Sequence, residues 1–174
     1  MQKEENVRYI ETERLILRPL AVEDAADVFE WTSDPIVNKF LRYSLYTNVE
    51  DVKKWILSIN PSNNEFAVVL KEKGKVIGSG GVAFVESNNA YELGYNYNRN
   101  YWGHGYATEA AKAMIAWAHD ELGAHEFTSA HAIANVASGN VIKKCGFKFS
   151  HFGQYSRFDG SETFEAKFYT LHLD

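Results

Sequence analysis

A long amphipathic helix that follows a glycine-rich turn is the feature that most constrains how this chain can fold. Within residues 103–122, apolar residues stand at positions 107, 110, 111, 114, 117, 118 and 122, the spacing of one helix face. Gly123 follows the stripe, as is typical of a helix C-terminus. Residues 90–97, before the turn, have the composition of a strand. The sequence therefore predicts the order strand, tight turn, long helix.

The remaining pattern predicts a sheet with short connections. Strands are expected over residues 12–20, 65–71, 75–85, 90–97, 126–133, 147–155 and 163–173, and further helices over 22–32, 49–59 and 138–145. Asn48 is placed to cap the second helix. Turn residues between the three strands from 65 to 97 favour an antiparallel meander. The order is neither a doubly wound array nor a barrel, so the expected fold class is α+β: a mixed, mostly antiparallel central sheet with helices on both faces.

Length and composition limit the kind of protein. A chain of 174 residues is expected to form a single domain over residues 1–174. Its 18 basic and 23 acidic residues give a net charge of −5, which argues against a nucleic acid partner. The lone cysteine, Cys145, suits a reducing compartment. The sequence contains no apolar stretch long enough to predict a leader or a membrane span. The expected location is therefore the cytoplasm, with no membrane partner.

The turn itself carries Gly103, His104 and Gly105. A helix N-terminus offers unpaired N–H groups and a positive dipole, so it can hold a diphosphate, and glycines let the backbone approach it closely. The same glycines are also explained by a tight strand-to-helix turn. Position 108 is Thr rather than a third glycine and no Gly-Lys-Ser/Thr follows, so neither a dinucleotide fold nor a P-loop is indicated.

Three separated segments together resemble one family. They are residues 11–20 (ETERLILRPL), residues 101–110 (YWGHGYATEA) and residues 135–147, in which Asn135, Ser138 and Lys144 stand at motif positions. The chain is similar to the Gcn5-related N-acetyltransferases (GNAT), within them to the branch of ribosomal-protein and polyamine N-acetyltransferases. Two positions depart from the family pattern: Asn100 replaces a longer polar residue, and Ile142 replaces a tyrosine that serves many members as general acid.

The resemblance implies an acetyl-CoA site in a V-shaped gap between two splayed strands, and no metal. Lys144 and the neighbouring Lys143 and Lys148 either meet the nucleotide phosphates or form a solvated helix face. The implied cofactor-binding residues are Tyr95, Asn96 and Tyr97 for the pantetheine arm and thioester, Gly103, His104, Gly105, Tyr106, Ala107 and Thr108 for the diphosphate, Asn135 for pantetheine, and Lys144.

The resemblance also implies catalytic residues. Glu92 matches the catalytic glutamate of histone-type members and is the expected base, although it is also explained as an exposed strand residue or a salt-bridge partner; Glu162 and Glu165 are alternatives. Ser138 is the candidate proton donor to the leaving thiolate, or else the N-cap of its helix. No H-E-x-x-H or paired-cysteine motif indicates a metal.

The expected activity is acetyl transfer to a primary amine by direct attack in a ternary complex. The branch resemblance favours a protein or peptide N-terminal α-amine. A small-molecule amine, such as a polyamine or antibiotic, and a non-catalytic acetyl-CoA-binding domain are the alternatives. A homodimer is compatible with the family. Five aromatic residues either wall the acceptor groove or pack the first two helices: Trp31, Phe40, Tyr43, Tyr46 and Trp55.

Overall fold

Eight strands form one sheet within residues 8–174, the part of the chain that the computed structural model describes. The strands are β1 (Ile10–Glu11), β2 (Leu15–Arg18), β3 (Glu65–Leu70), β4 (Lys75–Val85), β5 (Ala90–Tyr97), β6 (Glu126–Ala132), β7 (Lys148–Ser156) and β8 (Thr163–His172). The helices are α1 (Ala25–Thr32), α2 (Val49–Ser58), α3 (Tyr106–Leu122) and α4 (Val136–Lys144). No helix among these residues is both long enough and apolar enough to span a membrane.

The sheet runs in the order β1-β2-β3-β4-β5-β6-β8-β7, and all neighbours are antiparallel except β5 and β6. That parallel pair is short. Its register contains only Tyr91 with Phe127 and Glu92 with Thr128, although β5 continues to Tyr97 and β6 to Ala132. The two strands therefore separate after Glu92, which leaves a gap in the middle of the sheet.

Each face of the sheet carries its own core and its own helices. Met114 of α3 and Ile142 of α4 are fully buried against one face. Val28 of α1 and Val52 of α2 are fully buried against the other. The expected fold class, a mixed and mostly antiparallel sheet covered by helices on both faces, is confirmed.

The first predicted strand is wrong in one respect. Residues 12–20 were expected to form a single strand, but the chain turns at Thr12, whose Oγ1 accepts the N–H of Leu15. The carboxylate of Glu109 fixes this turn by accepting from Thr12 Oγ1 and from the N–H of Arg14. The two short strands β1 and β2 result. The break depends on a residue of α3, so local sequence could not reveal it.

Candidate functional site

The glycine turn before α3 presents three backbone N–H groups. Gly103 and Gly105 adopt positive φ angles of 78° and 80°, which glycine tolerates without strain. The first amide bonded within the helix is that of Glu109, which donates to the carbonyl of Gly105 at 3.1 Å. The amides of residues 106–108 precede it, and because the helix does not extend further back, no helical carbonyl is available to accept their N–H groups. This end of α3 can therefore accept an anion.

Arg14 holds the turn from the other side, a role that sequence reasoning missed. Its guanidinium donates to the carbonyl of His104 at 2.8 Å, pairs with Glu109 at 2.7 Å and lies 4.5 Å from the ring centre of Tyr106. Burial acts to raise the pKa of Glu109, but hydrogen bonds from Thr12 and Arg14 outweigh it, so the pKa lies below its usual value. Glu109 stays ionised and fixes Arg14 in place.

The gap between β5 and β6 exposes backbone groups of Tyr95. The carbonyl of Leu93 accepts from Ser129 Oγ and that of Tyr97 accepts from Trp102 Nε1, both at 3.0 Å, so both carbonyls point away from β4. Backbone groups of alternate residues in a strand point to the same edge. The N–H and C=O of Tyr95 therefore face the gap, beyond the last residue pair that joins β5 to β6.

The Tyr95 side chain crosses this gap to α4. Its hydroxyl lies 3.0 Å from Ser138 Oγ and donates to the Ser138 carbonyl at 3.2 Å. Burial raises the pKa of Tyr95, against the effect of the Ser138 hydrogen bond, so the phenol is neutral. Two hydroxyl groups thus meet at the inner end of the gap.

The alternative role of Ser138 as a helix cap is wrong. α4 begins two residues earlier than expected, and Asn135 is its N-cap, with Oδ1 accepting the N–H of Ser138 at 3.3 Å. Asparagine is one of the best N-cap residues, which explains the earlier start. The Asn135 side chain therefore has a structural role besides the one that the resemblance implies.

The other predicted cofactor residues are spread around the same gap. Tyr97 is buried against the face that carries α3, and its hydroxyl has no hydrogen-bond partner among residues 8–174. Asn96 is paired with Ser79 and lies on the opposite face. Lys144 is exposed in the last turn of α4, as is Lys143. Ile142 is fully buried, so the position where the family often has tyrosine is part of the core.

Two carboxylates and a tyrosine lie on the face that carries α1 and α2. Glu92 is exposed on β5, and Glu65, at the start of β3, is only partly exposed. Burial raises the pKa of Glu65 to about 7, while a hydrogen bond from Ser79 and the charge of Arg8 oppose the shift. Burial also raises the pKa of Tyr43, and the charges of Glu65 and Glu92 raise it further, so both carboxylates lie close enough to Tyr43 to act on its hydroxyl.

Sequence reasoning missed Glu65. A single charged residue at the start of an otherwise apolar strand is typical of a strand end, and nothing in the sequence marks it as partly buried. Among the alternative bases, Glu162 pairs with Arg157 at 3.3 Å and Glu165 accepts from Gln154. These hydrogen bonds lie within the β7–β8 hairpin.

The tip of that hairpin packs against residues 33–48, the loop between α1 and α2, and is hydrogen-bonded to it. The Arg157 guanidinium donates to four carbonyls of the loop, those of Asn38 at 3.2 Å, Lys39 at 2.9 Å, Leu41 at 2.8 Å and Tyr43 at 3.4 Å. Phe158 packs edge-on against Tyr43, with ring centres 5.2 Å apart. Of the five aromatic residues considered above, Trp31 is a core residue, whereas Tyr43 is 51 % exposed and borders the carboxylates.

No group of three His, Cys, Asp or Glu side chains in residues 8–174 is arranged to hold a metal ion. Cys145 is a partly buried free thiol, and burial raises its pKa. The chemistry that the geometry offers is that of a diphosphate-binding turn, a gap lined by backbone groups, and a face with two carboxylates.

Comparison with known proteins identifies acetyltransferases of one family as similar to this chain. The family model described as an acetyltransferase (GNAT) domain matches residues 14–148. An uncharacterized N-acetyltransferase of Bacillus subtilis, YnaD, is 30 % identical over 166 residues, covering 94 % of this chain and 96 % of the relative. The crystal structure of a GNAT-family acetyltransferase from Bacillus anthracis is 25 % identical with a TM-score of 0.86, covering 95 % of this chain and 98 % of that one. The microcin C7 self-immunity acetyltransferase MccE, determined in complex with acetyl-CoA and AMP, is 18 % identical with a TM-score of 0.80, covering 93 % of this chain and 94 % of that one.

Proposed function

The chain belongs to the GNAT family of N-acetyltransferases, and on this premise we propose that it transfers acetyl from acetyl-CoA to the α-amine of a peptide or protein N-terminus. One observation carries the proposal. The gap between β5 and β6 opens beside Glu92, on the sheet face where Glu65 and Tyr43 also lie. An acyl group held in the gap would therefore meet an amine beside a carboxylate.

The described residues fit acetyl-CoA. The free amides of residues 106–108 suit its diphosphate, and the backbone groups of Tyr95 suit its pantetheine arm and thioester carbonyl. Asn135 and Lys144, at the two ends of α4, are proposed contacts to pantetheine and to the nucleotide phosphates. The bound molecule supplies an activated acetyl group; the chain supplies position and proton transfer.

The acceptor must lose a proton to attack. An α-amine with a pKa near 7.8 is neutral in roughly one molecule in seven at pH 7, against about one in 2,500 for a lysine-type amine near 10.4. A carboxylate on the acceptor face takes that proton, and Glu92 is the one that the resemblance indicates. Ser138, which lies within hydrogen-bond distance of the neutral phenol of Tyr95, is the proposed proton donor to the CoA thiolate. Because a thiol has a pKa of about 8.5, the thiolate can leave with little assistance from a proton donor.

A small cationic amine is the second candidate acceptor. Two carboxylate side chains, Glu65 and Glu92, lie on the acceptor face, and the chain has a net charge of −5. Such a surface attracts a polyamine as well as a peptide N-terminus.

A panel of amines tests the proposed function. Peptides that begin with alanine or serine should release CoA thiol with a kcat/KM at least tenfold above that for spermidine or an aminoglycoside. The control is each peptide with a blocked N-terminus and a free lysine, which should be inert. Mass spectrometry should find one added acetyl group at the N-terminus. Faster turnover of spermidine than of every peptide would overturn the α-amine proposal in favour of the second candidate.

Arg157 is expected to position the acceptor loop. Arg157→Lys keeps the charge but loses the planar fork that reaches four carbonyls, so residues 33–48 should loosen. The KM for the amine should rise about tenfold, while calorimetry should find acetyl-CoA affinity unchanged. Arg42→Lys is the matched control in the same loop, because the Arg42 guanidinium stacks on Tyr155 and donates no hydrogen bond to another side chain or carbonyl of residues 8–174, so the change should alter KM less than twofold. Equal effects of the two variants would contradict the role.

A further inference from the structure

A row of residues across the sheet joins Glu65 to the gap. In the strand register, Glu65 on β3 is paired with Gly81 on β4, and Gly81 is paired with Gly94 on β5. Two strand spacings separate the ends of the row, about 10 Å. All three positions point to the same face, and Gly81 has no side chain to separate Glu65 from Gly94.

The Glu65 carboxylate lies beside Gly81. A Cβ added at Gly81 would stand 2.9 Å from Glu65 Oε2, 2.8 Å from the carbonyl oxygen of Asn64 and 3.1 Å from that of Asn63, so the Glu65 carboxylate and the backbone before it cover Gly81. A Cβ added at Gly94 would meet no atom of residues 8–174 within 4 Å, so these residues leave the space above Gly94 open. Gly94 also lies two residues beyond the last pair that joins β5 to β6, at the mouth of the gap. The carboxylate thus borders the place where an acyl group would emerge.

We propose that Glu65, rather than Glu92, is the general base of this enzyme, and that the acceptor amine lies over Gly94, next to the Glu65 carboxylate. The assignment rests on the proposed acetyl transfer and deepens it. In the step, the amine nitrogen bonds to the acetyl carbon as the carbon–sulfur bond breaks. The proton that the amine loses passes to Glu65, directly or through one water, and a proton ends on the CoA sulfur.

The surroundings of the two carboxylates favour Glu65. Glu92 is exposed to water, whereas Glu65 is partly buried. Arg8 and the Ser79 hydroxyl act on the Glu65 carboxylate, whose charge acts in turn on Tyr43 and, more weakly, on Tyr97. Glu92 acts on Tyr43 as well. Burial outweighs Arg8 and Ser79 and raises the pKa of Glu65 to about 7. A base is most effective when its pKa lies near the operating pH.

The pKa of Glu65 also determines which class of amine this carboxylate can deprotonate. Moving a proton from an α-ammonium of pKa near 7.8 to a carboxylate of pKa about 7 is unfavourable by only about sixfold. From a lysine-type ammonium near 10.4 the equilibrium is unfavourable by about 2,500-fold. Glu65 is therefore suited to α-amines and other amines of low basicity.

The test compares the same substitution at two positions on one face, Glu65→Gln and Glu92→Gln. With an alanine-initiated peptide and with spermidine, Glu65→Gln should lower kcat at least 100-fold, and Glu92→Gln less than tenfold. Calorimetry should find unchanged acetyl-CoA affinity in both, and circular dichroism should find both folded. The ratio of wild-type to Glu65→Gln kcat/KM should rise about tenfold between pH 6 and pH 8, because only ionised Glu65 is a base. A purely structural loss would keep this ratio constant.

A third variant examines the proposed position of the amine over Gly94. Gly94→Ala has room in the fold, so it should leave stability and acetyl-CoA affinity unchanged while raising the amine KM about tenfold. A large loss in Glu92→Gln with a small loss in Glu65→Gln would overturn the assignment of the base. Preference of the wild type for spermidine would instead overturn the α-amine proposal, and the two carboxylates would still be distinguished with spermidine as substrate.

Discussion

Gly105→Asp is expected to weaken acetyl-CoA binding at least 100-fold, about 2.7 kcal/mol. Gly105 is the N-cap of α3, immediately before the three free amides of residues 106–108. An aspartate there would bond those amides itself and would place a negative charge where the diphosphate is proposed to dock. Titration calorimetry of the variant with acetyl-CoA measures the loss.

Two controls separate charge from backbone strain. Gly105→Asn has nearly the size of aspartate without its charge and tolerates the φ of 80°, so its loss should be about tenfold. Gly123→Asn lies at the other end of α3, at a φ of 66° and with no atom of the described residues 8–174 within 4 Å of the new Cβ, so it should bind acetyl-CoA like the wild type. Wild-type affinity in Gly105→Asp would mean that the diphosphate docks elsewhere.

Local sequence signals predicted most of the fold. The apolar stripe of α3, its closing Gly123 and the Asn48 cap of α2 each depend on residues within a few positions, and each is confirmed: Gly123 has positive φ, and Asn48 accepts the N–H of Asp51. The break at Thr12 was not predictable in this way. It depends on Glu109, which contacts Thr12 from 97 residues along the chain.

The same distinction holds for the candidate site. The glycines of the turn are visible in the sequence because their backbone freedom is a local property. The positions of Arg14 behind the turn and of Arg157 over the acceptor loop depend on contacts between distant segments. The position of Glu65 depends on the register of three strands, and a shift of one residue would turn its side chain to the other face.

If Glu65 is kept as a base at the expense of stability, Glu65→Gln should stabilise the protein at alkaline pH. In the folded chain, burial raises the pKa of Glu65 to about 7 from an ordinary value of 4.5, so the folded state holds this proton more tightly than the unfolded state. Stability from this group is complete below about pH 4.5 and is lost as pH rises to about 7. At 1.36 kcal/mol per pKa unit this shift corresponds to roughly 3 kcal/mol, and because Glu65 is partly exposed the expected loss is about 1–3 kcal/mol.

Urea denaturation at pH 5 and pH 8 measures this effect. Relative to the wild type, Glu65→Gln should gain about 1–3 kcal/mol between the two pH values, or several degrees in Tm at pH 8. Glu92→Gln is the control, because it makes the same substitution at an exposed position of the same sheet face. A pH-independent difference for Glu65→Gln would show that Glu65 is no costlier to ionise in the folded chain than in water. A gain in stability combined with a loss of turnover would show that the ionised carboxylate is retained for catalysis, since a residue kept for folding alone would be better neutral.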